Sequence, residues 1–286
     1  MTMRLRADLI LLLAAVIWGT AFAVQRVAAQ AGSIFMFNGL RFMIGILLLL
    51  PWAGLRWNFS RRDWTIVTVA GVLLFAGSAL QQMGLELTTA ANAGFITGMY
   101  VVLVPIVLFF GWRERPHWLA WVAVVLAVAG AFLLSTGGQA FVLRPGDALE
   151  LAGAFFWSLH VIVLGKFAPR VDGVRFAAGQ FLVGGGLNLA AGLVLESSVS
   201  ILQPAVFGPL IYTGVFSVGV AYTLQVLGQR HTPPTDAALI LSLEGVMAAL
   251  FGWWWLGEIL LPVQIWGCVL IFTAILLSQA KEFRAS

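Results

Sequence analysis

Apolar residues run along this chain in blocks of about twenty, the length at which an α-helix crosses a hydrocarbon core. Short polar or turn-rich segments separate the blocks. The pattern predicts helices over 7–28, 34–53, 64–86, 90–111, 117–136, 147–168, 173–195, 208–229, 235–256 and 262–280. The expected fold class is therefore an all-α polytopic membrane protein with ten transmembrane helices.

The pattern also repeats itself. The stretch DAALILSLEGVMAALFGWWWLGEILLPVQIW, from Asp236 to Trp266, has a weaker copy in NAGFITGMYVVLVPIVLFFGWRERPHWLAW, from Asn92 to Trp121. Placing Asn92 on Asp236 puts Glu114 on Glu258, each Glu in a short hinge between two apolar helices. Upstream, Asp8 aligned with Asp147 puts Ala14 on Gly153, Trp18 on Trp157, Phe42 on Phe181 and Arg41 on Gln180. Apolar helices resemble one another by chance, but the paired Trp and paired Glu argue for duplication. The chain divides into a first repeat, 1–138, and a second, 139–286, expected to act together as one unit. Five helices is an odd number, so the second repeat enters the membrane from the opposite side. Inverted repeats are a common architecture of secondary transporters, because two similar halves can exchange conformations.

Composition places the chain in a bilayer: 61% of residues are hydrophobic, only 10% are charged, and the mean hydropathy is +0.98. The net charge of +4 points to membrane topology rather than to nucleic acid, because the basic residues sit in short loops. Arg4, Arg6, Arg56, Arg61, Arg62, Arg113, Arg115, Lys166, Arg170, Arg175, Arg230, Lys281 and Arg284 fall on one side, and Arg26 and Arg144 on the other. By the positive-inside rule both termini are cytoplasmic, and the expected location is a bacterial inner membrane. Arg4 and Arg6 before an apolar run mimic a signal peptide, with a small-residue site at Ala29–Ala31. Cleavage there would remove the repeat of Asp147 to Ala168, so the run reads as a first span.

Little points to covalent chemistry. The single cysteine, Cys268, lies in an apolar run, and His117, His160 and His231 have no ligand spacing. No HExxH, GxSxG or phosphate-binding glycine loop occurs. Neither a cofactor nor a metal is expected, and the chain is read as a non-enzyme.

The informative residues are then polar groups at membrane depth, which need partners, water or a proton. Glu244 stands about nine residues into the ninth span, and its neighbours Ile240, Leu241, Met247 and Ala248 offer it no partner. It is the candidate for proton coupling or for binding a substrate amine; the structural alternative is a carboxyl that ties helices together. Arg41 in the second span keeps its proton at any working pH, so it needs an anion or water: a substrate carboxylate, Glu244 or Glu86 is the candidate anion, and the structural alternative is an ion pair or an Arg snorkelling toward the surface. In the sixth span Glu150, Gly153, Trp157, His160 and Leu164 share one face, and the first span matches with Ala14, Trp18, Ala21 and Gln25. Such stripes suit a cavity holding an amphipathic molecule between two indoles, or else ordinary packing. Tyr100, Ser78, Gln82, Tyr222, Gln225 and Gln229 are further polar groups inside spans. Asn92 and Asp236 read as helix N-caps. Gly94 and Gly98 read as a GxxxG packing motif, Pro105 as a kink, and Trp52, Trp57, Trp64 and Trp253–Trp255 as interfacial anchors.

The runs SLEGVMAALFGWWWLGE, ALQQMGLELTTAANAGFITGMYVVLVPIV and VIWGTAFAVQ resemble the EamA family of the drug/metabolite transporter superfamily. The resemblance covers nearly the whole chain as two EamA units. It implies a ten-helix bundle with spans one to four and six to nine around a central cavity, spans five and ten peripheral, and export of a small metabolite. Many members carry Pro after the Glu matched by Glu244; here that residue is Gly245.

The expectation is a secondary-active exporter of an amino acid or similar amphipathic compound, working by alternating access. Its partners are a small molecule, the lipid bilayer and candidate protons, and a monomer suffices. Glu244, Arg41, Trp18, Trp157, His160, Tyr100, Tyr222, Gln82 and Gln225 are the candidate substrate-binding residues. The competing readings are an uptake carrier or facilitator, an intramembrane enzyme built on Glu150 and His160, and a channel or scaffold.

Overall fold

The computed structural model describes residues 2–54, 57, 59–196, 200–256 and 259–283, and among these all regular structure is helical. The helices are α1 Met3–Gln30, α2 Phe35–Ala53, α3 Arg61–Leu87, α4 in two segments (Ala90–Thr97 and Tyr100–Trp112) and α5 Trp118–Thr136. The second half holds α6 Pro145–Phe167, α7 Gly173–Leu195, α8 Pro204–Gln229, α9 in two segments (Pro234–Leu241 and Leu243–Leu256) and α10 Pro262–Phe283. Nine of these contain a stretch long and apolar enough to span a bilayer, and the apolar part of α10, Pro262–Ser278, is shorter. Ten crossings bring both ends of the chain to one side, called here the terminal side; the other is the far side. Of the expected hinge pair, Glu114 is ion-paired with Lys166, while Glu258 lies outside the described residues, as do Arg56 and Arg284.

Side chains satisfy the backbone donors that helix starts leave open. Ser60 and Asp63 form a reciprocal capping box at α3. Glu196, at the end of α7, accepts from the amides of Ile34, Phe35 and Met36 at 2.8, 2.6 and 2.9 Å, and so holds the start of α2. The capping roles expected of Asn92 and Asp236 are not observed. Thr89 caps α4 by accepting from the Asn92 amide, and α9 begins at Pro234 with Asp236 inside its first turn. Both polar groups sit one turn too late and are used elsewhere.

The repeats interlock rather than stand side by side. α3 lies on α6 and α7 and α4 on α6, whereas α8 lies on α1 and α2 and α9 on α1. Glycines permit the close crossings. A Cβ on Gly84 would lie 2.6 Å from Glu150 Oε1, and one on Gly228, its mate in the repeat register, 2.7 Å from Leu11 Cγ. α5 and α10 pair with each other at the periphery, where Gly130 and Gly267 each abut the other's carbonyl oxygen. Gly94 and Gly98 make no such crossing: added Cβ atoms there meet no neighbouring helix, because this face lines a crevice.

Three irregularities break the spans. The register that puts Asn92 on Asp236 puts Gly98 on Ser242, and both α4 and α9 are interrupted there. In α4 the amides of Met99, Val101 and Val102 turn to carbonyls three residues back. In α9 the Ser242 hydroxyl donates to the Leu239 carbonyl at 2.7 Å, the local bonding that bends helices. α8 winds wide, as a π-helix, over Thr213–Tyr222, after Pro209, which has no amide hydrogen, and where Thr213 bonds the Pro209 carbonyl.

Candidate functional site

A cavity of about 40 Å³ lies at the centre of the bundle. Most of its wall consists of residues matched in the repeat register: Trp18 with Trp157, Phe22 with Val161, Gln81 with Gln225, Thr97 with Leu241, and Tyr100 with Glu244. A wall made of equivalent pairs sits on the axis that relates the repeats. Just beyond it, Phe42 and Phe181, another matched pair, stack at 6.0 Å.

Glu244 and Tyr100 each follow a helix break, so the interruption delivers both side chains to the axis. The Tyr100 hydroxyl donates to Glu244 Oε1 at 3.3 Å, and both residues are about 95% buried. Glu244 also lies in the first turn of its helical segment, where the helix dipole favours a carboxylate. The partner that its own helix does not offer comes from α4.

Tyr222 is the aromatic centre. Its ring stacks on Trp157 at 5.9 Å, meets Trp18 edge-on at 4.7 Å, and touches Phe42, Phe181 and His160. The two indoles differ in one respect. Trp18 Nε1 donates to the Ser217 carbonyl in the π segment at 3.1 Å, whereas Trp157 Nε1 has no partner among the described residues. Gln225 Oε1 is likewise unpartnered. The cavity thus presents one open donor, one open acceptor, a carboxyl and flat apolar rings.

Arg41, His160 and Gln82 do not line the cavity; they form a layer behind it. Arg41 is 1% exposed, lies 5.5 Å from the ring centres of Phe37 and Phe42, and donates from Nη1 to Gln25 Oε1 at 2.6 Å. Gln25 lines the cavity, and its carbonyl accepts from Gln82 at 3.0 Å. Arg41 Nε and Nη2 are buried with no hydrogen-bond partner among the described residues, so the guanidinium is bonded to neither Glu244 nor Glu86 there. His160 Nε2 bonds Gln180 Oε1 at 2.9 Å, while Glu150 accepts from Thr97 at 3.0 Å, so this acid and this imidazole have different partners. Among the described residues no cluster of His, Cys, Asp and Glu is suited to a metal ion.

The two sides of the cavity differ. On the far side a crevice of about 250 Å³ opens between the first segment of α4 and the second of α9, and Phe22 lines both it and the cavity. On the terminal side the first segment of α9 is buried throughout. There Arg4 bridges Asp8 and Asp236 at 3.0 Å each, Thr232 donates to Asp8 at 2.8 Å, and Ser278 donates to Asp236 at 3.0 Å. The far side repeats this junction with one carboxylate fewer: Thr88 donates to Asp147, the mate of Asp8, at 2.6 Å, and Asn92 stands where Asp236 does.

Phe22, Gln81, Thr97 and Ser217 line the cavity without having been singled out in the sequence. For Gln81 a signal exists, since the register that matches Asn92 to Asp236 matches it to Gln225. Phe22 and Ser217 carry none.

Comparison with known proteins gives the class. The EamA-like transporter family model matches residues 5–136 and again 144–279, and the chain belongs to that family. It is a multi-pass membrane protein of the drug/metabolite transporter type. A protein of Archaeoglobus fulgidus named an uncharacterized transporter is 37% identical over 278 residues, covering 97% of this chain and 87% of its own. The uncharacterized transporter YwfM of Bacillus subtilis is 25% identical, over 96% of this chain and 93% of its own. The uncharacterized inner membrane transporter YedA of Escherichia coli is 25% identical, over 93% and 88%. One crystal structure shares the fold with a TM-score of 0.80 at 22% identity, covering 98% of this chain and 99% of that chain.

Proposed function

We propose that this chain is a secondary carrier that exports a small amphipathic metabolite, such as an amino acid, by alternating access from the axial cavity. The observation that carries the reading is the cavity wall of repeat-equivalent pairs. A site on the axis is the one place that two exchanging halves can expose to either side in turn. The cavity as it stands is about the size of one or two waters, so a metabolite enters only as the wall separates.

In this reading Glu244 exchanges a proton or holds a substrate amine, and Arg41, reached through Gln25, receives a carboxylate on its open N–H groups. Trp157, Trp18 and Tyr222 sandwich the apolar part, with Gln225 as acceptor; His160 and Gln82 fix the layer behind. The repeats 1–138 and 139–286 form one monomeric unit in a bacterial inner membrane with cytoplasmic termini, a location supported by the name of YedA and by the loop charges. The site is a carrier's, not a catalyst's.

The test compares metabolites in medium and cytosol of cells expressing wild type, Glu244→Gln and Arg41→Ala at equal membrane levels. Accumulation of one compound outside only with wild type supports export and names the substrate. Depletion from the medium means uptake instead, and unsaturable flux without counterflow means a channel.

A further inference from the structure

We propose that Glu150 is a second protonation site of this carrier, linked to the substrate cavity through Thr97 and Gln81. The inference rests on the reading of the axial cavity as the substrate site.

Glu150 is fully buried in α6, one helical layer away from the cavity. Its Oε2 accepts from the Thr97 hydroxyl at 3.0 Å, and Thr97 Oγ1 accepts from Gln81 Nε2 at 3.3 Å. Thr97 and Gln81 both line the cavity, so a continuous chain of hydrogen bonds runs from its wall to the carboxyl. Glu150 Oε1 has no partner among the described residues and faces Gly84. A carboxyl with one oxygen bonded and the other open, away from water, has room for a proton on the open oxygen.

The repeat shows that packing does not require an acid here. Glu150 stands where the first repeat has Leu11, and Leu11 covers Gly228 as Glu150 covers Gly84. A leucine fills this crossing in one half of the molecule, so the carboxyl in the other half serves something besides volume. The chain it heads is also absent from the other half, where Leu241 occupies the place of Thr97.

The charged and titratable groups around it are few. On α6, Asp147 lies one turn away on the same face, accepting from Thr88, Asn92 and the Arg144 amide. From α1, Arg26 reaches the Thr88 carbonyl at 3.2 Å; α3 contributes the neutral Gln81 and, exposed at its end, Glu86, the α3–α4 connection Thr88, and α4 the neutral Asn92 and Thr97. The proton on Glu150 comes from water at the far side, past Asp147, and returns there. Substrate that takes up the Gln81 amide withdraws it from Thr97, frees the threonine hydroxyl to turn, and so alters the proton affinity of Glu150.

Infrared spectroscopy of the purified full-length protein in liposomes tests this without a known substrate. The carbonyl stretch of protonated carboxyls is followed through a pH titration in wild type, Glu150→Gln, Glu150→Leu, Glu244→Gln and Gln81→Leu. The expected result is a buried-carboxyl band that vanishes on alkalinisation, is absent from both Glu150 variants, persists in Glu244→Gln, and has its midpoint moved by about one pH unit in Gln81→Leu. A Glu150 band that does not titrate, or one that titrates identically in Gln81→Leu, makes Glu150 a structural tie and overturns the proposal, as does a wild-type spectrum reproduced by both Glu150 variants. Glu150→Leu copies Leu11 and so reports even where Glu150→Gln fails to fold. Loss of export reads out in the metabolite experiment alone, so failure of either reading shows separately.

Discussion

Arg41 and Gln180 hold the same place in α2 and α7, and each reaches one helix back, Arg41 to Gln25 and Gln180 to His160. The fold therefore accepts a neutral amide at this position in one half and a guanidinium in the other. Arg41→Gln is expected to leave thermal stability in detergent near that of wild type. Because a hydrogen bond to a charged group contributes about 1.5–3 kcal/mol, efflux of a carboxylate-bearing substrate should fall about tenfold or more. Metabolite profiles and a melting curve on the same preparations check both halves.

Tyr100→Phe removes the donor to Glu244 without opening space. A buried acceptor left unsatisfied costs about 1–3 kcal/mol, and the melting temperature should drop accordingly. Tyr100→Phe together with Glu244→Leu, which unlike a Gln leaves no accepting oxygen, should cost less than the sum of the single changes, since each deletes the same bond. A double-mutant cycle measures the difference.

Phe22 is the partition between the cavity and the far-side crevice. Phe22→Ala joins the two spaces, and its cost should fall at the low end of the roughly 3–5 kcal/mol seen for Phe→Ala in cores, because one side is already open. Carrier function should become leaky: a fluorescent thiol reagent added from the far side should reach a cysteine placed at Gln225, in a Cys268→Ala background, faster than in the parent.

Arg4 offsets two carboxylates at the terminal side, where the far side sets the neutral Asn92 beside a single one, Asp147. Arg4→Ala leaves Asp8 and Asp236 to repel each other and should loosen the first segment of α9. A cysteine at Ala238, buried in the parent, should then label from the terminal side several-fold faster, while Asn92→Ala leaves that rate unchanged.

The spans were legible because an apolar run of membrane length admits few alternatives in lipid, and observed ends fall close to those expected. The register was legible through Trp18 with Trp157 and Asn92 with Asp236, and from it the pairing of Tyr100 with Glu244 follows. The breaks at Gly98 and Ser242 were not, since hydropathy runs through them without a change. The spacing favours Gln82 as a cavity residue, yet Gln81 lines the cavity, because which side of α3 faces the axis depends on its packing against α6 and α7, helices of the other repeat. The position of Arg41 behind Gln25 has the same origin.

The exchange of helix pairs between the repeats, α3 and α4 lying on α6 and α8 and α9 on α1, bears on where such a chain comes from. A lone five-helix copy would leave α3 and α4 without the helix they rest on. Two identical copies inserted in opposite senses would supply it to each other, crossing over as two hands clasp. Fusion of their genes would then free each copy to diverge separately, and such freedom would account for a leucine at 11 against an acid at 150, and an arginine at 41 against an amide at 180.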